Sequence, residues 1–188
     1  MIIPKSWWPL AVAVTLMCGL VEVTVQQSYR QSANDPQIQM AEDGAAALAR
    51  GTSVNALVPS APVAMESSLA PFVMVYNNSG ELIASSATLN GKKPTVPSGV
   101  LVAAAKTGEN RVTWQPSPSA RSAIVAAHYA SAQHVGYVVV GRSLREVEKR
   151  ESQLEIRVIL AWIVTLATTL FASIFFVNKT GDSIGNIL

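Results

Sequence analysis

Charge is scarce in this chain. Only 14% of its 188 residues are Asp, Glu, Lys or Arg, against about 25% in soluble domains. The formal net charge is +2 with no arginine-rich block, which speaks against nucleic acid as a partner. There is one cysteine, Cys18, so neither a disulfide framework nor a Cys/His zinc spacing can be built; within an apolar run it reads as a small apolar residue. The two histidines, His128 and His134, have no acid close by in sequence to complete a metal site. Nucleophile-elbow, phosphate-loop and dinucleotide glycine patterns are all missing. These absences point to a non-catalytic protein without a metal or cofactor.

Apolar sequence is abundant instead, 49% of the chain, with mean hydropathy +0.30. Residues 158–177, VILAWIVTLATTLFASIFFV, carry no formal charge. At 1.5 Å per helical residue such a run covers roughly 30 Å, the hydrocarbon thickness of a bilayer. A second run, residues 7–25, follows Lys5; it is long for a cleaved leader and no A-x-A site follows it, so it reads as an uncleaved membrane helix. Trp7 and Trp8 suit an interfacial belt, and Trp162 in the later run is a further candidate for membrane or partner contact. Glu22 lies near the far end of the first run. An acid inside a span is a functional candidate, and at this depth it reaches head groups or pairs with a partner.

Lys5 and Lys179 lie on the terminal sides of the two runs, which places both ends in the cytoplasm. Arg142, Arg145, Lys149, Arg150 and Arg157, interleaved with four glutamates, precede the later run and count against that orientation. The leading run after Lys5 and the size of the intervening region outweigh them. The two spans leave about 130 residues, enough for one small core.

That region changes period along its length. Residues 26–50 read as helix, with a restart at Asp35-Pro36 and an apolar face at Ile38, Ala41, Ala45 and Leu48. Residues 52–71, with three prolines, read as loop with one helical turn around 64–69. A hairpin follows: a strand over 72–76, a turn at Asn77-Asn78-Ser79-Gly80, and a return strand over 81–85. A short helix is expected over 98–106, capped by Ser98 and ended by Gly108. Strands over 110–115, 122–129 and 135–142 form a meander extending the hairpin. From Ser143 a helix with a seam at Leu144, Val147, Glu151, Leu154 and Val158 has no breaker before the second span.

FVMVYNNSGELIASS and GYVVVGRSLREVEKRESQL resemble the hairpin and the last strand with its stalk in extracytoplasmic PAS-like sensor domains of the Cache type, found in bacterial two-span receptors and sensor histidine kinases. The resemblance covers about residues 27–157. It implies an α+β fold: two transmembrane helices flanking a small PAS-like domain with an antiparallel sheet of about five strands and a long N-terminal helix. The implied division is a span over 1–26, an extracytoplasmic domain over 27–142, a stalk over 143–157, a span over 158–177 and a short cytoplasmic tail over 178–188. It further implies the bacterial inner membrane, the lipid bilayer and a membrane partner or homodimer as contacts, and a small-molecule ligand held by Tyr76, Trp114, Arg121, His128 and Tyr137. The competing reading makes these five core and rim residues. Receptors of this type continue into an output domain after the second span, and residues 178–188 cannot be one. The expected function is therefore a sensory or regulatory subunit acting on a separate membrane partner, or a structural accessory subunit of a membrane complex with no ligand.

Overall fold

The computed structural model describes Pro4, residues 7–32 and residues 35–185. Lys5 lies outside them, and the side chain of Lys179 is likewise not described. The chain divides into two compact units, Arg30–Glu148 and Met1–Tyr29 with Lys149–Leu188.

The first unit is built on a five-stranded antiparallel sheet. Its strands are β2 (Phe72–Asn77), β3 (Leu82–Ser85), β5 (Glu109–Ser117), β6 (Ala120–Ala130) and β7 (Val135–Ser143), in the order β3-β2-β7-β6-β5. The meander β5-β6-β7 returns its last strand against the first strand of the hairpin, with Val73 opposite Val140 and Tyr76 opposite Tyr137. The hairpin turn closes as the sequence demands. Asn77 Oδ1 accepts the Glu81 N–H at 2.8 Å, and Gly80 takes φ 78°, a conformation that favours glycine.

Strand alternation splits the apolar residues between two faces. Phe72, Met74, Tyr76, Ile124, Ala126, Tyr137 and Val139 face a layer made of helix α4 (Ser98–Thr107) and the segment carrying Val63, Met65, Ala87 and Val96. Val73, Val75, Val125, Ala127, Tyr129, Val138 and Val140 pack against helix α2 (Asp35–Ala49) through Ala41, Ala45 and Leu48. With both faces covered, the central strands read as near-continuous apolar runs rather than alternating ones. Val138, Val139 and Val140 are all fully buried, each such burial contributing about 1.5–3 kcal/mol. Small residues in β6 and β7 let the layers close. A Cβ at Gly141 would run into the Phe72 ring and come within 2.7 Å of Ile124 Cγ2.

Local departures from expectation have physical causes. Helix α2 begins at Asp35 as expected, but the preceding helix is continuous with the first apolar run, α1 (Trp7–Ser32). The segment 52–71 forms a short helix α3 (Val54–Leu57) and a strand β1 (Val63–Ala64), which pairs in parallel with β4 (Ala87–Thr88). The expected turn follows, Ser68 N–H donating to Ala64 O at 2.8 Å. Ser98 does not cap α4: Pro97 holds that position with φ −57°, set by its ring, and no side chain bonds the first turn. Gly108, φ 84°, ends the helix as expected. Strand β5 runs on through Pro116, which the edge position tolerates because no ladder N–H is needed there.

The second unit pairs α1 with most of α5 (Arg145–Gly185), which starts two residues after β7 and stays helical beyond residue 177. Both helices are long and apolar enough to cross a membrane, over Trp7–Ser28 and Arg145–Val177. The chain is thus a mixed helix and sheet protein with one antiparallel five-stranded sheet and two long apolar helices.

Candidate functional site

Four of the five residues expected to line a ligand site share one face of the sheet. Tyr76, Tyr137 and His128 are neighbours across β2, β7 and β6, because the register pairs Tyr76 with Tyr137 and Tyr137 with His128. The His128 and Tyr137 rings tilt against each other at 5.2 Å. Trp114 lies on the same face opposite Ser122 in β6. All three apolar-ringed members are buried among core side chains.

The Tyr76 hydroxyl accepts the Val96 N–H at 3.0 Å and donates to Met74 Sδ at 3.9 Å. Burial pushes its pKa up to about 12, against a smaller downward pull from that N–H. It therefore holds the loop containing Val96 over the sheet as a neutral, satisfied core group. Burial likewise raises Tyr129, on the opposite face beside α2. Ser122 Oγ is buried with no hydrogen-bond partner among the described residues; nothing in its local sequence, RSAIV, marks it out.

Arg121 parts from the other four. It alternates with Ser122 and so projects from the opposite face, half exposed, where its guanidinium meets Glu148 at 2.6 Å. Glu148 lies in the first turn of α5. Two further arginines, one at the first position of that helix and one in β7, bond carbonyls of residues 66–69. Arg145 donates to the carbonyls of Glu66 (3.1 Å) and Ser67 (2.7 Å), and Arg142 Nε donates to Leu69 O at 3.0 Å. In the sequence they are basic residues preceding a span. Carbonyl partners carry no side-chain signature, so Arg142 and Arg145 could not be matched to residues 66–69. Glu66 in turn bonds the Asn90 N–H, and that bond holds its carboxyl below the ordinary range.

In the helical unit, Trp7 Nε1 donates to Thr169 Oγ1 at 3.2 Å and Trp162 Nε1 donates to Thr15 Oγ1 at 3.0 Å. Numbers fall on α5 as they rise on α1, so the two helices run antiparallel. Trp7, expected at an interface, and Trp162, expected as a membrane or partner contact, are thus turned onto the neighbouring helix, while Trp8 is exposed and stacks edge-on against Trp7 at 5.6 Å. A cavity of 210 Å³ opens beside the Trp162–Thr15 bond, lined by Thr15, Cys18, Gly19, Glu22, Val158, Ile159 and Trp162. It brings Glu22 and Trp162 together, two residues expected separately as contact sites. No group of three or more His, Cys, Asp or Glu side chains able to hold a metal occurs among the described residues. No protein-family model matches the chain, and no curated protein matches it significantly.

Proposed function

We propose that this protein is a non-catalytic, two-span membrane subunit whose sheet domain, of the PAS-like Cache type, lies outside the cytoplasm and regulates a separate membrane protein. The observation that carries this reading is α5. One helix starts at the end of β7, is tied at its first turns to β6 and to residues 66 and 67, and continues through the apolar window ending at Val177. A change in the layer over the sheet therefore has a route of direct contacts to the helix that would cross the bilayer. Such a change needs two states with different contacts to matter. The passages FVMVYNNSGELIASS and GYVVVGRSLREVEKRESQL, which resemble the hairpin and the last strand with its stalk in that family, support the domain assignment. The exposed apolar surface of the helical unit supports the membrane: Leu16 is 69% and Phe171 73% exposed, which water would penalise.

A second reading, a structural accessory subunit without a ligand, is favoured by one observation. Tyr76, Trp114 and Tyr137 are packed into the core on the face where a ligand would bind.

Single cysteines at Thr52 and Asn78, in full-length protein in intact cells, test the placement. Labelling by a membrane-impermeant maleimide is expected, and labelling only after lysis overturns it. Thermal unfolding of the purified chain against small acids, amines and sugars separates the readings. A ligand that raises Tm and alters cross-linking from α5 supports regulation by a ligand; no shift from any compound, with a stoichiometric stable complex, supports the accessory role.

A further inference from the structure

The cavity beside Trp162 has a carboxylate at one end and apolar walls along the rest. Glu22 has no ion-pair or hydrogen-bond partner among the described residues. It precedes Gln26, where the apolar run ends, by four residues, about 6 Å along a helix axis. A carboxylate at that depth in a bilayer is unfavourable unless a cation or hydrogen-bond donor meets it.

Direction decides which cation can. The Cα–Cβ bond of a helical residue tilts toward the helix N-terminus. That bond starts the Glu22 side chain toward the turn of Cys18 and Gly19, with which it lines the cavity. The cavity extends the same way: its other α1 residues, Thr15, Cys18 and Gly19, all precede Glu22. A cation carried inside the bilayer, on another helix, approaches along the cavity. Gly19 leaves the floor open: a Cβ there meets nothing within 4 Å. Small residues of this kind allow close approach of a third helix.

We infer that this groove is the docking site for a transmembrane helix of the regulated partner, and that the docking helix presents a lysine or arginine to Glu22 from within the bilayer. The inference rests on the membrane placement proposed above, and it names the chemistry of the partner.

The test uses the full chain in phosphatidylcholine nanodiscs. The probe is a labelled Leu/Ala transmembrane peptide of about 22 residues bearing one lysine about one and a half turns from its outer end. Association is read by energy transfer, against the same peptide with leucine in place of lysine. The lysine peptide is expected to bind about tenfold more tightly than the leucine peptide, the scale of a polar contact between membrane helices. Glu22→Gln should reduce it to the leucine level. Gly19→Leu, which fills the groove and leaves the carboxylate, should also weaken it, with helix content unchanged by circular dichroism. Equal binding of the two peptides to the wild-type chain overturns the inference, as does full lysine-peptide binding by Glu22→Gln. Displacement of the peptide by phosphatidylethanolamine, lost in Glu22→Gln, also overturns it by assigning the carboxylate to a head group. Failure of the chain to enter nanodiscs counts against the membrane placement itself, and is read independently by carbonate extraction.

Discussion

The sheet unit and the helical unit use the same apolar residues in opposite ways. In the sheet unit, the valines and alanines of the central strands leave the surface: Val138, Val139, Val140, Val125 and Ala126 are wholly buried between two covering layers. In the helical unit, leucine, isoleucine and phenylalanine stand outward, and the contact between α1 and α5 is marked by two Trp–Thr hydrogen bonds. One unit makes its own apolar medium. The other needs one supplied, and a bilayer is such a medium. The contrast teaches that sequence hydrophobicity alone does not say whether a residue will be a core residue. Period and length say more, because strands of six to eleven residues are covered here by helices of the same unit, whereas a run of twenty is long enough to cross a bilayer.

Substitutions at glycine sharpen this contrast most. Gly141→Ala should destabilise the sheet unit by about 3 kcal/mol, because the added methyl overlaps Phe72 and Ile124 in a close-packed core. Gly19→Ala, into open space, should leave helix content and detergent stability unchanged or slightly improved. Denaturation monitored by near-ultraviolet circular dichroism distinguishes the two. Similar effects at both positions would mean that the helical unit is as closely packed as the domain, and the contrast would fail.

Tyr76→Phe comes next. It strands the buried Val96 N–H, at a cost of about 1–3 kcal/mol. The pH dependence gives an independent readout. A tyrosine raised to about 12 in the folded state keeps its proton between pH 10 and 12, where the unfolded chain has lost it. The folded state then binds more protons, so stability falls as pH rises through that window and is unaffected by this group below it. Urea midpoints at pH 9, 10 and 11 should show that fall in the wild type and a shallower one in Tyr76→Phe. An unchanged slope would place the Tyr76 ring in contact with water.

Smaller effects are expected where contacts are exposed or lie between the helices. Thr15→Val removes the acceptor of the Trp162 N–H and should weaken the α1–α5 pairing by about 0.6 kcal/mol, the mean for such bonds in membranes; exchange of labelled helices in detergent measures it. Arg121→Ala should cost the domain less than about 1 kcal/mol, since both partners of the Glu148 pair are largely exposed. Urea titration of the variant checks this. A loss comparable with that of Tyr76→Phe would make the β6–α5 tie a principal support of the domain.

The sequence was legible where one local signal had one outcome. The hairpin at Asn77–Gly80, the apolar face of α2, the stop at Gly108 and the three-strand meander all follow from turn chemistry and period, and all appear at the places expected. It was less legible where a residue's surroundings come from far along the chain. Ser98 has the chemistry of a cap, but Pro97 occupies the capping position. Arg121 has the chemistry of a carboxylate binder, and its strand parity sends it to the face away from Tyr76, Trp114, His128 and Tyr137.

Sequence by itself determined the two long apolar helices, the mixed helix and sheet class, and the order of α2, the hairpin, α4 and the meander, because these depend on length, period and turn residues within a short window. Tertiary structure alone decided that β7 pairs with β2 as well as β6, that the aromatic candidates enter the core while Arg121 leaves it, and that Arg142 and Arg145 bind carbonyls some 73 to 79 residues away. It also decided that Glu22 and Trp162 line one cavity. Each depends on which distant backbones lie side by side, and that follows from closing the two faces of one sheet and pairing two helices, not from any local preference.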